Sequence, residues 1–348
     1  MKVCALCKRK WEDEYRVCPI DGLALQESPE ESDPHAGQSF GQTRLRDKIA
    51  DGALGPIYQG EDPARGPVAV QVVNPELLSS EVLKEAFEQA VKLAAKLVHA
   101  NIVRVYGFET GADGSVAVVM EYVPGGDLGR YRQEHPALDV AQSVALIRQA
   151  AEGVIAAHRM GLLHGALHPS RILVSSDGTV KIGGFHRNAL REGVDAFSVT
   201  PENLPYLAPE QIGIIRDLVS PDFRADVYAL GVILYELLSR RSPYEAGSVQ
   251  ELAQALDGSP PVPPSFANTD VSPTLSRVVL KAISKHPGDR HGSMEEFLRE
   301  LTAAGMPMRA PRSSRADAPR YPPPADESGV DATGSPARRS SADNLWPE

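Results

Sequence analysis

The residue types best suited to chemistry stand at the start of this chain. Its three cysteines, Cys4, Cys7 and Cys18, all fall within the first eighteen residues. An odd number crowded at one end is a poor disulfide framework and a better metal cluster. CALC (4–7) and, ten residues later, CPIDG (18–22) each allow a tight knuckle, so two short loops can close a tetrahedron. Asp21 holds the fourth position, where a carboxylate can ligate zinc, and Gly22 supplies the turn residue. The expected metal set is zinc on Cys4, Cys7, Cys18 and Asp21, serving structure or protein binding. The other reading is a small metal-free hairpin with reduced thiols. Lys8, Arg9 and Lys10 are offset by Glu12, Asp13 and Glu14, which speaks against DNA binding.

Larger elements must follow to make a globular protein. The chain has 348 residues, 42% of them hydrophobic, and a net charge of −10. That length suits one large two-lobed domain with small accessories. No basic block stands out to neutralise phosphates, so nucleic acid is not an expected partner. No apolar run reaches the ~18–20 residues needed to span a bilayer, and the N-terminus lacks the apolar core of a secretory signal. A cytoplasmic protein without membrane contact is expected. Residues 1–24 form a Cys-bearing unit, and 25–39 read as an acidic linker rich in Pro, Ser and Gly. A globular pattern covers 40–302. Residues 303–348 hold eight prolines and are expected to be disordered.

Within 40–302, short β-type runs come first. VAVQVV (68–73) and VAVVMEYV (116–123) read as buried strands. Between them, residues 80–97 have a helical pattern with Val82, Ala86, Ala90, Ala94 and Leu97 on one stripe. Asp139 can cap a later helix, with Gln142 completing a capping box and Val144, Ile147, Ala151, Val154 and His158 on one face. ADVYALGVILYELLSR (225–240) is apolar nearly all round and should be a buried helix. Strands first and helices after predict an α+β protein of two lobes, the first about 40–122 and the second about 127–302.

Several segments in order carry a resemblance. LHGALHPSRILV (163–174) resembles the protein-kinase catalytic loop HRDLKPENILV, YLAPEQ (206–211) resembles YMAPEQ, and DVYALGVILYELLSRRSPY (226–244) resembles DVYALGVILYELLTGRPPF. HPGDRHGSMEEFLREL (286–301) is similar to the family's last helical segment. Residues 43–302 thus resemble a bacterial-type serine/threonine protein kinase domain along their whole length, and the first knuckles resemble a zinc ribbon. The family pattern implies an ion pair of Glu210 with Arg290, and Asp226 holding the backbone of the catalytic loop.

The resemblance also shows which groups have changed. Phosphoryl transfer is mostly positioning and charge stabilisation. Gln71 stands at the phosphate-binding lysine, Ala90 at the glutamate that holds it, and Ala166 at the catalytic aspartate. Glu88 could serve in place of Ala90 only after a register shift. Arg171 stands at the metal-binding asparagine, and Gly184-Phe185-His186 at the DFG triplet whose aspartate holds magnesium. Gly165 replaces the arginine that reads a phosphorylated activation segment, so that switch is expected to be absent. The glycine-rich loop, IADGALGPIYQG (49–60), keeps Gly52 and Gly55, with Ala50 at its first position and Pro56 after the last glycine.

These losses together predict a catalytically inactive scaffold or regulatory module, not an enzyme. Its partner would be an active kinase or another signalling protein. The alternatives are a nucleotide- or ligand-sensing switch, or a weak, unconventional serine/threonine kinase with ATP in the cleft. Magnesium is not expected. Gly52, Gly55, Ile57, Ala69, Met120, Tyr122, Val123 and Leu173 fall where the family lines its adenine slot. They are either core residues that conserve a shape or a retained pocket. His164 and Phe185 should stack as part of a hydrophobic spine. His168, Arg171 and His186 either gather where magnesium would sit and meet phosphate directly, or are solvated surface groups. In the tail, ARRSSAD (337–343) offers Ser340 or Ser341 to a basophilic kinase, and Leu345-Trp346 offers a docking element.

Overall fold

A computed structural model describes residues 2–4, 6, 10, 11, 14–20, 22–27, 35, 37–186, 199, 200, 202–215 and 221–305. Cys7, Asp21, residues 8, 9, 12 and 13, most of the expected linker, positions 187–198 of the activation segment and the tail from 306 lie outside the described residues. Three two-residue strands open the chain, β1 (Lys2–Val3), β2 (Lys10–Trp11) and β3 (Gln26–Glu27), with β1 central and antiparallel to both neighbours.

The first lobe is an antiparallel sheet of β4 (Ser39–Phe40), β5 (Thr43–Gly52), β6 (Gly55–Asp62), β7 (Gly66–Val72), β8 (Val105–Thr110) and β9 (Val116–Glu121), in the order β4-β5-β6-β7-β9-β8. Side chains alternate across a strand, so the VAVQVV run feeds two different environments. Val68, Val70 and Val72 join Phe40, Leu45, Tyr58, Ala117 and Val119 in a small core of their own. Ala69 points the other way, with Val118 and Met120, into the larger core shared with the helical lobe. Gln71 follows Ala69 by two residues and takes that same face.

Helix α1 (Glu81–Ala95) is capped by Ser80, whose side chain accepts from the Leu83 N–H. Its buried stripe is Phe87, Val91 and Ala94, and Val82 is 76% exposed. Ala94 and Leu97 are buried as expected, but the first half of the stripe, Val82, Ala86 and Ala90, is one residue out of register. The larger side chains Phe87 and Val91 bury more apolar area than the alanines beside them, and they set the rotation.

The second lobe begins with β10 (Gly125–Asp127), which pairs with β11 (Ile172–Ser175), itself paired with β12 (Val180–Ile182). The helices are α2 (Leu128–Glu134), α3 (Val140–Arg159), α4 (Arg224–Ser239), α5 (Val249–Asp257), α6 (Pro264–Ala267), α7 (Pro273–Ala282) and α8 (Met294–Gly305). The capping box at Asp139 and Gln142 forms as expected. Fifteen consecutive residues of α4, Ala225 to Ser239, are buried. The polar ones need partners there, and this requirement shapes the lobe.

Arg290, buried beside the helix, shows the same requirement met for its own guanidinium. Its Nη1 and Nη2 reach the Glu210 carboxylate at 2.7 and 2.8 Å, with both side chains essentially fully buried. The remaining guanidinium N–H groups donate to the carbonyls of Ser284, Lys285 and Arg224. All five donors are thereby satisfied, which a buried arginine requires. Among the described residues, no helix is long and apolar enough to cross a membrane.

Candidate functional site

A cleft of about 940 Å³ separates the lobes. One wall is apolar: Ile57, Ala69, Met120, Tyr122, Val123 and Leu173 all line it. The strand period explains this, since Ala69 and Met120 are register partners in β7 and β9 and share the face that Val68 and Val70 avoid. Gly52 also lines the cleft. Gly55 does not; it turns the β5–β6 hairpin with φ +135°, and a Cβ there would stand 2.1 Å from the Val72 carbonyl. No side chain fits that approach.

Beneath the hairpin lies Gln71. Its Nε2 donates to the Gly55 carbonyl at 3.3 Å, and a Cβ on Gly52 would fall 2.3 Å from that nitrogen. The amide therefore fills the space under the loop. Its Oε1 accepts from His186 Nε2 at 3.0 Å, so this bond ties the sheet to the segment after β12. His186 is 2% exposed, and its Nδ1 has no hydrogen-bond partner. Burial, and secondarily the nearby His164, pushes the imidazole down to about 4, so it is neutral at physiological pH. The expectation of a solvated surface histidine is thus corrected: the sheet covers it.

The loop after α3 is held from below. Asp226 accepts from the backbone N–H groups of His164 and Gly165 at 2.9 and 2.7 Å, and from His158 Nε2 at 2.8 Å. His164 meets Phe185 edge-on with ring centroids 4.7 Å apart. This clamp positions Ala166, His168 and Arg171, all of which line the cleft. Arg171 closes a short turn, Pro169–Arg171; its Nη1 donates to the Ala166 carbonyl, and its own carbonyl accepts from Gly183 N at 2.9 Å. His168 accepts the Ser170 N–H on Nδ1 at 3.1 Å, so its Nε2 carries the proton that reaches the Glu202 carbonyl at 3.2 Å. Burial holds the His168 pKa below its ordinary value.

Ala90, and Glu88 as its expected substitute, are separated from these. Ala90 sits on α1 outside the cleft lining, and Glu88 pairs with Lys92 at 3.6 Å. Asp177, in the turn between β11 and β12, is bonded to Ser175 and Thr179, which hold its carboxyl down to about 2. Gly184 reaches the cleft but brings no side chain. Sequence reasoning missed three carboxylates that line the cleft, Asp51, Asp127 and Glu202; Glu121 lines it as well. Asp127 had a readable signal, because an aspartate after Gly125-Gly126 and before Leu128 is a helix cap, and it accepts the Arg130 N–H at 2.8 Å.

At the N-terminus, Cys4 and Cys18 are buried, at 0% and 1% exposure. Among the described residues, no group of three or more His, Cys, Asp or Glu is placed to hold a metal; Cys7 and Asp21 fall outside them.

Comparison with known proteins adds to this geometry. The model of the protein kinase domain family matches residues 44–301. The serine/threonine-protein kinase PknL of Mycobacterium tuberculosis is 34% identical over 283 residues, covering 77% of this chain and 68% of PknL. A serine/threonine-protein kinase of Myxococcus xanthus is 30% identical over 305 residues, 82% of this chain and 54% of that protein. The chain spans 39% of a similar protein of Clostridium acetobutylicum, so these relatives extend well beyond the shared part. The crystal structure of the Mycobacterium tuberculosis PknI kinase domain superposes with a TM-score of 0.60 at 25% identity, covering 77% of this chain and 98% of that one. A sheet-rich first lobe and a helical second lobe are therefore those of a protein-kinase-like fold. The same relatives overturn the expectation of an inactive scaffold that is not an enzyme. They carry the names of serine/threonine-protein kinases and point to a kinase, and the structure does not show catalytic loss. Residue type at single positions was a weak guide because phosphoryl transfer is spread over many positioning and charge contacts.

Proposed function

The chain belongs to the protein kinase domain family, and on that premise we propose that it binds a nucleoside triphosphate between its lobes and passes the terminal phosphoryl to a serine or threonine of a signalling protein. The observation that carries this reading is the cleft itself: an apolar slot of Ile57, Ala69, Met120 and Leu173 beside the linking segment Glu121–Val123, with a glycine of the hairpin loop at its roof. Such a slot suits a planar purine. Gly52 supports the fit, since any Cβ there would meet Gln71.

Ala166 offers a methyl group where the acceptor hydroxyl would lie. Orientation then falls to the backbone clamp at Asp226 and to His168. Slow turnover is expected, because positioned proton acceptors contribute roughly 10²–10⁴ in rate. The test is transfer of labelled terminal phosphate from ATP to the chain itself or to a general protein acceptor. Incorporation above a heat-inactivated control supports the reading, and none above it refutes it.

We also propose a structural zinc on Cys4, Cys7, Cys18 and Asp21. Two buried thiols support it, as does the Leu6 N–H aimed at Cys4 Sγ at 3.4 Å and the Gly22 turn at φ +71°. N–H donation to a thiolate is what a metal knuckle provides. One zinc per chain after gentle purification, lost in Cys18→Ser, is the expected result; substoichiometric zinc in the unmodified chain contradicts it. A cytoplasmic location accompanies the proposal, since ATP and reduced thiols are both supplied there.

A further inference from the structure

The family's nucleotide sites imply magnesium, and the described residues of this cleft do not fit it. Magnesium takes oxygen ligands, typically one or two carboxylates beside the phosphates. At the inner end of the cleft stand Gly184, Arg171 and the Gln71–His186 pair, none of which brings a carboxylate. Among the described residues, the four carboxylates that line the cleft are already engaged. Asp51 pairs with Lys48 at 2.6 Å, and Glu121 with Lys181 at 3.1 Å. Asp127 caps α2, and Glu202 is held down by the Thr200 hydroxyl.

We propose that this cleft binds a nucleoside triphosphate free of divalent cation, with the Arg171 guanidinium supplying the positive charge that meets the phosphates. The inference rests on the nucleotide reading above and specifies how that site is neutralised. Arg171 is anchored at both ends, by its Nη1 on the Ala166 carbonyl and by its own carbonyl under Gly183 N. One donor of five is used by that side-chain bond, so a fork remains for phosphate oxygens. A cation bolted to the floor at a metal-ligand position repels magnesium and attracts the anion that magnesium would otherwise screen. Gln71 fits the same scheme, because an amide beneath the loop neither competes with Arg171 nor repels it.

Calorimetric titration of the full chain with ATP and with adenosine, in EDTA and in excess magnesium, tests this. Arg171→Gln and Arg171→Lys are titrated alongside. ATP should bind in EDTA at least as tightly as with magnesium. Arg171→Gln should weaken ATP by tenfold or more and leave adenosine within twofold, and Arg171→Lys should recover most of the loss. ATP binding that appears only with magnesium overturns the proposal. So does ATP binding in EDTA that Arg171→Gln leaves unchanged. Adenosine is the control for folding, since a collapsed variant loses both ligands while Arg171→Lys keeps them. If the unmodified chain binds neither ligand, the nucleotide reading itself falls, which is a different outcome from binding that depends on magnesium.

Discussion

The floor of the helical lobe and the inner end of the cleft treat charge in opposite ways. On the floor, Glu210, Arg290 and Asp226 are buried and charged, and every hydrogen-bonding site of the arginine is met. In the cleft, Gln71 and a neutral His186 form one uncharged bond across the lobes, and Arg171 lines the same cleft. The floor's charges hold a shape. The neutral bond of Gln71 with His186 leaves room for the charge of a ligand.

The largest expected effect breaks the floor. Arg290→Met leaves Glu210 buried without its partner and should cost about 3–5 kcal/mol, read from the denaturant midpoint at unchanged slope. A loss below 1 kcal/mol would mean that the pair is ornamental. Ala166→Asp sharpens the other side of the comparison. It sets a proton acceptor into the cleft and should raise phosphoryl transfer on the order of 10²-fold with stability little changed. An unchanged rate would show that orientation by the backbone already suffices.

Gln71→Leu removes the acceptor from the His186 N–H and should destabilise by roughly 1–3 kcal/mol. Denaturant unfolding again reads it, and a neutral outcome would mean that the lobes are joined by apolar packing alone. The smallest effect is in pH. Between about pH 6.5 and 4 the unfolded chain protonates His186 while the folded chain does not, so stability falls as pH falls through that window. The share of this single group should be about 1–2 kcal/mol at pH 5. His186→Gln should flatten the slope there, and an unaltered slope would place the titration elsewhere, His168 and His291 being shifted in the same direction.

Much of the floor could be read in advance. Glu210, Asp226 and Arg290 sit in segments that resemble the kinase family's closely, and that resemblance implied the role of each. The cleft was half legible. The family resemblance placed Ala69 and Gln71 at the cleft, but the contact of Gln71 with His186 joins residues 115 positions apart, and no local pattern announces it. The first half of the α1 stripe differs by one residue, because alanines and large side chains share the same spacing and only volume decides between them. Activity was misread more seriously. Counting lost side chains treated each as independent, whereas relatives named as kinases share this frame at 29–34% identity.

The central claim is that this cleft holds a nucleoside triphosphate and passes on its phosphoryl group. Its most direct test is incubation of the purified full chain with terminally labelled ATP, in EDTA and in magnesium, beside the heat-inactivated chain. Label on serine or threonine above that control is the predicted result. Label no higher than the control in either condition would contradict it.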